Sequence, residues 1–249
     1  MSCFCVFCVF LRPSHLHFQK EPRAAHPMNP RTPAKADFDR IARLCDRRWD
    51  YHYTRSKLRT DPVYAAVAAV IAARPLPVLD IGCGIGLLGQ YLRACGLDAP
   101  LTGFDYDERK IRAARVMAAR AGHSDLNFEA GDARTGLPEF SGHVVILDIL
   151  QFFTPAEQNA LLAAAAARVA PGASLVIRSG LRADNWRFRV TVWADYLAKA
   201  TRWMKAAPVS YPDAALFHEV LGAAGLRVSL RPLWGRTPFH NHLITATRP

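Results

Sequence analysis

The residues best suited to chemistry in this sequence are carboxylates set at the ends of apolar runs. Val78-Leu79-Asp80-Ile81 carries one of them, and Gly82, Gly84 and Gly86 follow at alternate positions. Glycines spaced in this way let the backbone turn sharply and approach a ligand closely. A helix starting there offers free N–H groups to it. Asp105 closes a second apolar run, Gly131-Asp132-Ala133 follows a third, and Asp148 ends a fourth, just before Gln151, Phe152 and Phe153. The glycine run also reads as G-x-G-x-x-G from Gly84 to Gly89, the dinucleotide pattern. Asp80 argues against that reading: a carboxylate two residues before the first glycine suits a neutral or cationic ligand better than a pyrophosphate.

These residues need a scaffold that brings strand ends together, and the surrounding periodicity supplies one. Short apolar strands are predicted at 76–82, 99–105, 126–132, 143–149 and 173–179. Helices are predicted between them at 86–95, at 107–121 with Asp107 as cap and Gly122 as stop, and from the capping box Thr154-Pro155-Ala156-Glu157 to Ala170. Regular alternation of this kind implies a parallel sheet with right-handed crossovers. Upstream, 37–53 reads as a helical, aromatic stretch. Asp61-Pro62 then opens a helix that Pro75 stops. Downstream, 184–206 reads as an inserted amphipathic helix, and Ser210-x-x-Asp213 starts another. The runs 226–232 and 240–248 follow with no helix between them, so they should pair antiparallel.

The domain reading is therefore a tail over 1–27, a helical cap over 28–75, and an α/β domain over 76–249 with a helical insertion at about 184–208. The tail lacks the basic start and small-residue cleavage site of a secretory signal, so either it is disordered or translation starts at Met28. The six cysteines form neither a disulfide ladder nor a zinc set, which points to a reducing, cytoplasmic setting and no metal. No run of 18 apolar residues is present, so no membrane span is expected. The net charge of +11 is uneven: residues 78–150 are net acidic between two basic flanks. Basic flanks favour an acidic partner, such as a carrier protein, a phosphorylated or carboxylated small molecule, or nucleic acid.

Val78-Leu79-Asp80-Ile81-Gly82-Cys83-Gly84-Ile85-Gly86, a second-strand Asp105, Gly131-Asp132-Ala133 and the apolar Leu147-Asp148-Ile149 strand end together resemble the class I S-adenosylmethionine (SAM)-dependent methyltransferases. The resemblance implies a three-layer, Rossmann-like sheet of seven strands, mostly parallel with the last antiparallel. It implies SAM as cofactor. Gly82, Gly84 and Gly86 would line its methionine and ribose, Asp80 would hold its amino group, and Asp105 both ribose hydroxyls. Tyr106 would lie along the adenine, and Asp132 with Ala133 would meet the adenine amino group. Asp148 would sit where the methyl meets its acceptor. A general base is needed only for a protonated acceptor; the candidates are Asp148, His218, His240, His242 and Tyr51.

The acceptor is narrowed by what is missing. The N/D-P-P-Y/F motif of enzymes that methylate adenine or glutamine amides is replaced by Asp148-Ile149-Leu150-Gln151, and no cysteine follows Cys95 to act in a pyrimidine-C5 mechanism. Nucleic acid is thus a minority expectation. Trp49–Arg59 and Asp184–Pro208 are the expected acceptor walls. Trp186, Phe188, Trp193, Tyr196 and Trp203 interleave there with Arg182, Arg187, Arg189, Arg202 and Lys205. That mixture suits an aromatic or acyl acceptor, free or on an acyl carrier. Residues 51–64, with 148–151, also resemble small bacterial methyltransferases of aryl-polyene and related lipid pathways. An NAD(P)-dependent reductase and a catalytically idle SAM-fold subunit stay open as alternatives, and the oligomeric state is not expressed in the sequence.

Overall fold

The computed structural model describes residues 30–200, 208–235 and 237–249. The tail over 1–27, and Arg202, Trp203 and Lys205 of the insertion, lie outside the described residues.

Three helices come first: Lys35–Ala42 (α1), Arg48–Thr60 (α2) and Val63–Ala73 (α3). The stretch read as continuously helical over 37–53 breaks at 43–47. The break lets α2 fold back on α1, and the Asp39 carboxylate fastens the pair by accepting Arg55 Nε at 2.7 Å and Arg59 Nη2 at 2.6 Å. Asp61 opens α3 by accepting Val63 N–H at 3.0 Å. The buried face of α3 is Val63, Tyr64, Val67, Ala68, Ile71 and Ala72, a helical repeat that packs on the sheet.

The alternating part follows as expected. In chain order come Val78–Ile81 (β1), Leu87–Ala94 (α4), Leu101–Asp105 (β2), Glu108–Ala121 (α5), Leu126–Ala130 (β3), His143–Leu147 (β4), a 3-10 turn at Leu150–Phe152, Pro155–Ala166 (α6) and Ser174–Gly180 (β5). Then come Trp186–Ala200 (α7), Ala214–Ala223 (α8), Arg227–Pro232 (β6) and Asn241–Thr247 (β7). The sheet has seven strands in the order β3-β2-β1-β4-β5-β7-β6. β7 runs antiparallel to both β5 and β6, while the strands from β3 to β5 are parallel. This is the Rossmann-like fold expected.

Strand alternation divides the core in two. Val78, Val145 and Val176 belong to the apolar cluster that includes α3, α4 and α5; Leu79, Val144, Ile146, Leu175 and Ile177 belong to the cluster with α6 and α8. Residues of α1 and α2, Ile41 and Leu58, share the first cluster. The same period puts Asp80 and Arg178 on the α3–α4 face. The capping box at Thr154 and Glu157 forms, and Asp107 accepts Arg109 N–H. The helix expected to start at Ser210 starts later: Asp213 is its cap, accepting Leu216 N–H at 3.0 Å.

Gly86 shows why glycine is required between β1 and α4. Its φ is +77°, and a Cβ there would lie 2.6 Å from Cζ of the buried Phe128 ring. Gly86→Ala is expected to lower unfolding stability by about 2–4 kcal/mol, left-handed strain and overpacking combined. Denaturant unfolding measures it; a loss below about 1 kcal/mol would refute this account of the turn.

Candidate active site

The carboxyl ends of β1, β2, β4 and β5 open onto a cavity of about 720 Å³, a size that suits a small-molecule site. Ligands of open α/β sheets bind at these strand ends. Asp80, Gly82, Gly84, Asp105, Tyr106, Asp132, Ala133 and Asp148 all line it. Gly86 does not. It sits behind the loop, where it starts α4 and packs on Phe128, so of the three glycines it is the one with a purely architectural position.

The Asp105 carboxylate accepts two backbone hydrogen bonds, one from the glycine loop and one from the turn into α5. Its Oδ2 accepts Gly84 N–H at 3.0 Å and its Oδ1 accepts Asp107 N–H at 2.8 Å. Each oxygen keeps a lone pair for a ligand donor. Gly84 has φ +57°, and a Cβ built on it would meet no atom within 4 Å. The bare backbone therefore faces open space, which a side chain would fill. Asp80 lies below the loop, 2 % exposed. Its carboxylate takes no hydrogen bond among the described residues, and burial together with Asp105 pushes its pKa up to about 7. An unpaired buried carboxylate facing a cavity is a site for a cation. These features fit SAM: an ammonium for Asp80, vicinal hydroxyls for Asp105, and a loop without side chains where the cofactor would lie.

The remaining residues proposed for the cofactor differ in their surroundings. Tyr106 is half-exposed at the cavity wall. Asp132 pairs with Arg134 at 3.2 Å, and Arg134 in turn donates to Glu157 and to Phe152 O and covers the Phe153 ring at 4.5 Å. Asp132 is thus part of a braced corner, with Ala133 beside it.

On the acceptor side Asp148 is not free to act as a base. It takes φ +58° and gives both oxygens to the Arg178 guanidinium, Nε at 2.7 Å and Nη2. Arg178 is 3 % exposed and spends Nη1 on Asp61, with Oδ2 at 2.6 Å. Lys57 closes the cluster, 2.8 Å from Asp61 and 3.7 Å from Asp148. Burial alone would raise the Asp61 pKa, but Arg178 and Lys57 outweigh it and draw it down to about 2. Burial opposes the charge on Arg178, yet Asp148 and Asp61 hold its pKa above the usual range.

The histidines proposed from sequence lie outside the cavity lining. His218 is exposed on α8, which packs on α6 and β6. His240 is buried with Nδ1 at 3.1 Å from Leu181 O and Nε2 at 3.0 Å from Asn185 Nδ2, so both ring nitrogens have partners. His242 packs edge-on against His240, and Tyr51 gives way to Tyr53 as the lining residue. The inserted helix α7 turns Thr191, Ala194 and Asp195 to the cavity and leaves Trp186, Trp193, Tyr196 and Leu197 exposed. Those four side chains are thus neither core nor cavity wall, while Phe188 packs edge-on against Tyr211 and His240.

Sequence reasoning missed Lys57, Asp61, Arg178, Asp195 and Tyr211 as site residues. Two signals were available. Arg178 interrupts the apolar run Leu175-Val176-Ile177, where a charge needs partners. Thr191 and Asp195 stand four apart on α7, a polar stripe apart from the aromatic one.

Residues 78–172 match a methyltransferase domain family model. Ribosomal protein L11 methyltransferase of Burkholderia vietnamiensis is 32% identical over 48% of this chain, which spans only 37% of that protein. Trans-aconitate 2-methyltransferase of Sinorhizobium medicae is 26% identical over 73% of this chain and 68% of its own. Among solved structures, magnesium protoporphyrin IX methyltransferase of Synechocystis PCC 6803, determined with bound S-adenosylhomocysteine (SAH), aligns over 86% of this chain and 95% of its own with TM-score 0.60 at 20% identity. The seven-stranded sheet of this order is thus the fold of that solved methyltransferase, and residues 78–172, which carry the glycine loop and Asp105, match a methyltransferase domain.

Proposed function

We propose that the protein transfers the methyl group of SAM to a small-molecule or carrier-bound acceptor. The observation that carries the reading is Asp80, buried and unpaired beneath the Gly82–Gly84 loop, next to Asp105. A carboxylate so placed favours a ligand with an ammonium and disfavours a pyrophosphate, which argues for SAM and against NAD(P). SAM supplies a methyl on a positively charged sulfur, an already good leaving group. The protein's own contribution is to hold the acceptor in line with that methyl and to keep water out.

An aromatic or acyl acceptor is supported by the rest of the lining, which includes Tyr53, Ile149, Phe152, Phe153, Leu233 and Phe239. The narrower resemblance to aryl-polyene and lipid-type methyltransferases draws support from residues 51–64, six of which line the cavity: Tyr53, Lys57, Thr60, Asp61, Pro62 and Tyr64. A carrier-bound acceptor would meet the exposed side chains of the inserted segment, Trp186 and Trp193 with Arg182 and Arg189, of which Arg189 is also paired with Asp184.

Calorimetry with SAM, SAH and NADH tests the assignment: SAM and SAH should bind and NADH should not. NADH binding without SAM would overturn it. Asp105→Ala should weaken SAH binding at least about tenfold, because each charge-assisted hydrogen bond is worth roughly 1.5–3 kcal/mol. It should also lower stability, by on the order of 1 kcal/mol, through loss of the Gly84 and Asp107 latches. Asp105→Asn should fall between on both counts. Unchanged affinity in Asp105→Ala would remove Asp105 from the cofactor site.

The Asp80 acid gives a pH signature. Its folded pKa is raised to about 7, so without ligand the site holds a proton below that pH and is charged above it. Binding an ammonium favours the charged form. SAH affinity should therefore rise with pH, by up to about tenfold per unit, between about pH 5.5 and 7. Proton release on binding, read by calorimetry in buffers of different ionisation enthalpy, checks it. Asp80→Asn should bind weakly and lose the slope; a slope that survives in Asp80→Asn would locate the titrating group elsewhere.

A further inference from the structure

A second polar cluster lines the same cavity and takes no part in the cofactor loop. Asp195, on α7, accepts the Tyr211 hydroxyl at 2.8 Å through Oδ2, and Gln151 Nε2 stands 3.5 Å from the same oxygen. Gln151 is 6 % exposed, and its backbone carbonyl accepts Val209 N–H at 2.7 Å and Ser210 N–H at 3.2 Å. Its side-chain Oε1 has no hydrogen-bond partner among the described residues. Turning the amide over would not cure this, since the oxygen would then face the Asp195 carboxylate. A buried amide oxygen without a donor is costly, and in native structures a water, an ion or a ligand usually completes it. Among the four such side-chain atoms of the described residues, Gln151 Oε1 is the acceptor that stands beside a second acceptor on the cavity wall.

The charges around the cluster sharpen the point. Arg178 and Lys57 are taken by Asp61 and Asp148. Asp195 takes part in no ion pair among the described residues. Its pKa is raised first by burial and further by Asp148, while Tyr211, Gln151 and Lys57 pull it down. Asp195 and Gln151 therefore present two acceptors, and the Tyr211 hydroxyl is already engaged with Asp195, as the Thr191 hydroxyl is with Arg187 O. A ligand that brings hydrogens completes such a pair; a ligand that brings lone pairs is repelled.

We propose that Asp195 and Gln151 form the acceptor-atom site, that the methyl acceptor is a hydroxyl or an amine and not a carboxylate, and that Asp195 takes its proton. The proposal rests on the methyl-transfer reading above. The oxygen or nitrogen forms its new bond to the methyl carbon as the carbon–sulfur bond breaks, with that electron pair leaving on sulfur. The bond from the acceptor atom to hydrogen also breaks. Its pair stays on the acceptor, and the proton passes to the Asp195 carboxylate while Gln151 Oε1 holds a second hydrogen of the amine or of a neighbouring hydroxyl.

Two measurements on the full chain test this. In the first, SAH-saturated protein is titrated calorimetrically with catechol, benzylamine and benzoate. Catechol or benzylamine should bind at least about tenfold more tightly than benzoate, and Asp195→Ala should abolish the preference while SAH affinity stays within about twofold. Benzoate bound as well as both others, or a preference that survives in Asp195→Ala, overturns the assignment. In the second, methyl-labelled SAM is incubated with protein and cell extract, and the products are treated with mild base. Methyl esters release labelled methanol, whereas methyl ethers and N-methyl groups do not. The label should be base-stable and at least about tenfold lower with Asp195→Asn, a variant that keeps the side-chain shape. Tandem mass spectrometry then separates hydroxyl from amine acceptors. Base-labile label overturns the acceptor assignment and leaves methyl transfer standing. Absence of SAH binding overturns methyl transfer itself, and SAH binding without any labelled product overturns both.

Discussion

The buried guanidinium of Arg178 is the constraint on which the arrangement of the cavity depends. Strand alternation aims it at the α3–α4 face of the sheet, away from water, where an unpaired charge would be untenable. Two carboxylates from distant parts of the chain answer it. Asp61 stands at the junction of α2 and α3, and Asp148 stands just past the end of β4. Asp148 does so at positive φ, a backbone position that a side chain other than glycine takes only when its surroundings require it. The cap helices, the end of β4 and the end of β5 are thereby fastened at one point on the cavity wall, with Lys57 balancing the charge.

The cavity treats its carboxylates in two ways. Asp61 and Asp148 are neutralised within the protein, so they shape the wall without offering charge to a ligand. Asp80 and Asp195 form no ion pair among the described residues, and burial raises the pKa of each. A cation relieves the first; a hydrogen-bearing group relieves the second. On the proposed reading, the electrostatic pattern distinguishes two kinds of ligand within one space.

Much of the sheet could be read in advance, because β4 and β5 are buried on both faces and carry the apolar runs Val144–Leu147 and Leu175–Ile177. The capping box at Thr154 and the glycine stop at Gly122 are local signals, and they fell where expected. The proposed cofactor residues could be named in advance for the same reason: Asp80, the glycines and Asp105 lie at the ends of recognisable strands. The rest of the cavity wall could not, because it is assembled from α2, the turn after β4, α7 and the segment before α8. Tertiary contacts, which periodicity does not encode, decide which face of α7 turns inward. Asp148 looked like a free base because nothing local shows that Arg178, thirty residues on in β5, will reach it. His240 looked available because its partners Leu181 and Asn185 are likewise remote in sequence.

The place of β7 in the sheet has a consequence for biosynthesis. It lies between β5 and β6, and both are made before it. As the chain leaves the ribosome, β5 therefore stays an open edge until Asn241–Thr247 emerges, and β6 has no neighbour at all. An open edge of apolar strand is where nascent chains pair wrongly with each other. The alternating part of the molecule can collapse early, yet its edge is sealed only by this late strand. A ribosome that stalls within the loop before β7 would release a product with its cofactor-side strands in place and an exposed ladder, a natural client for chaperones.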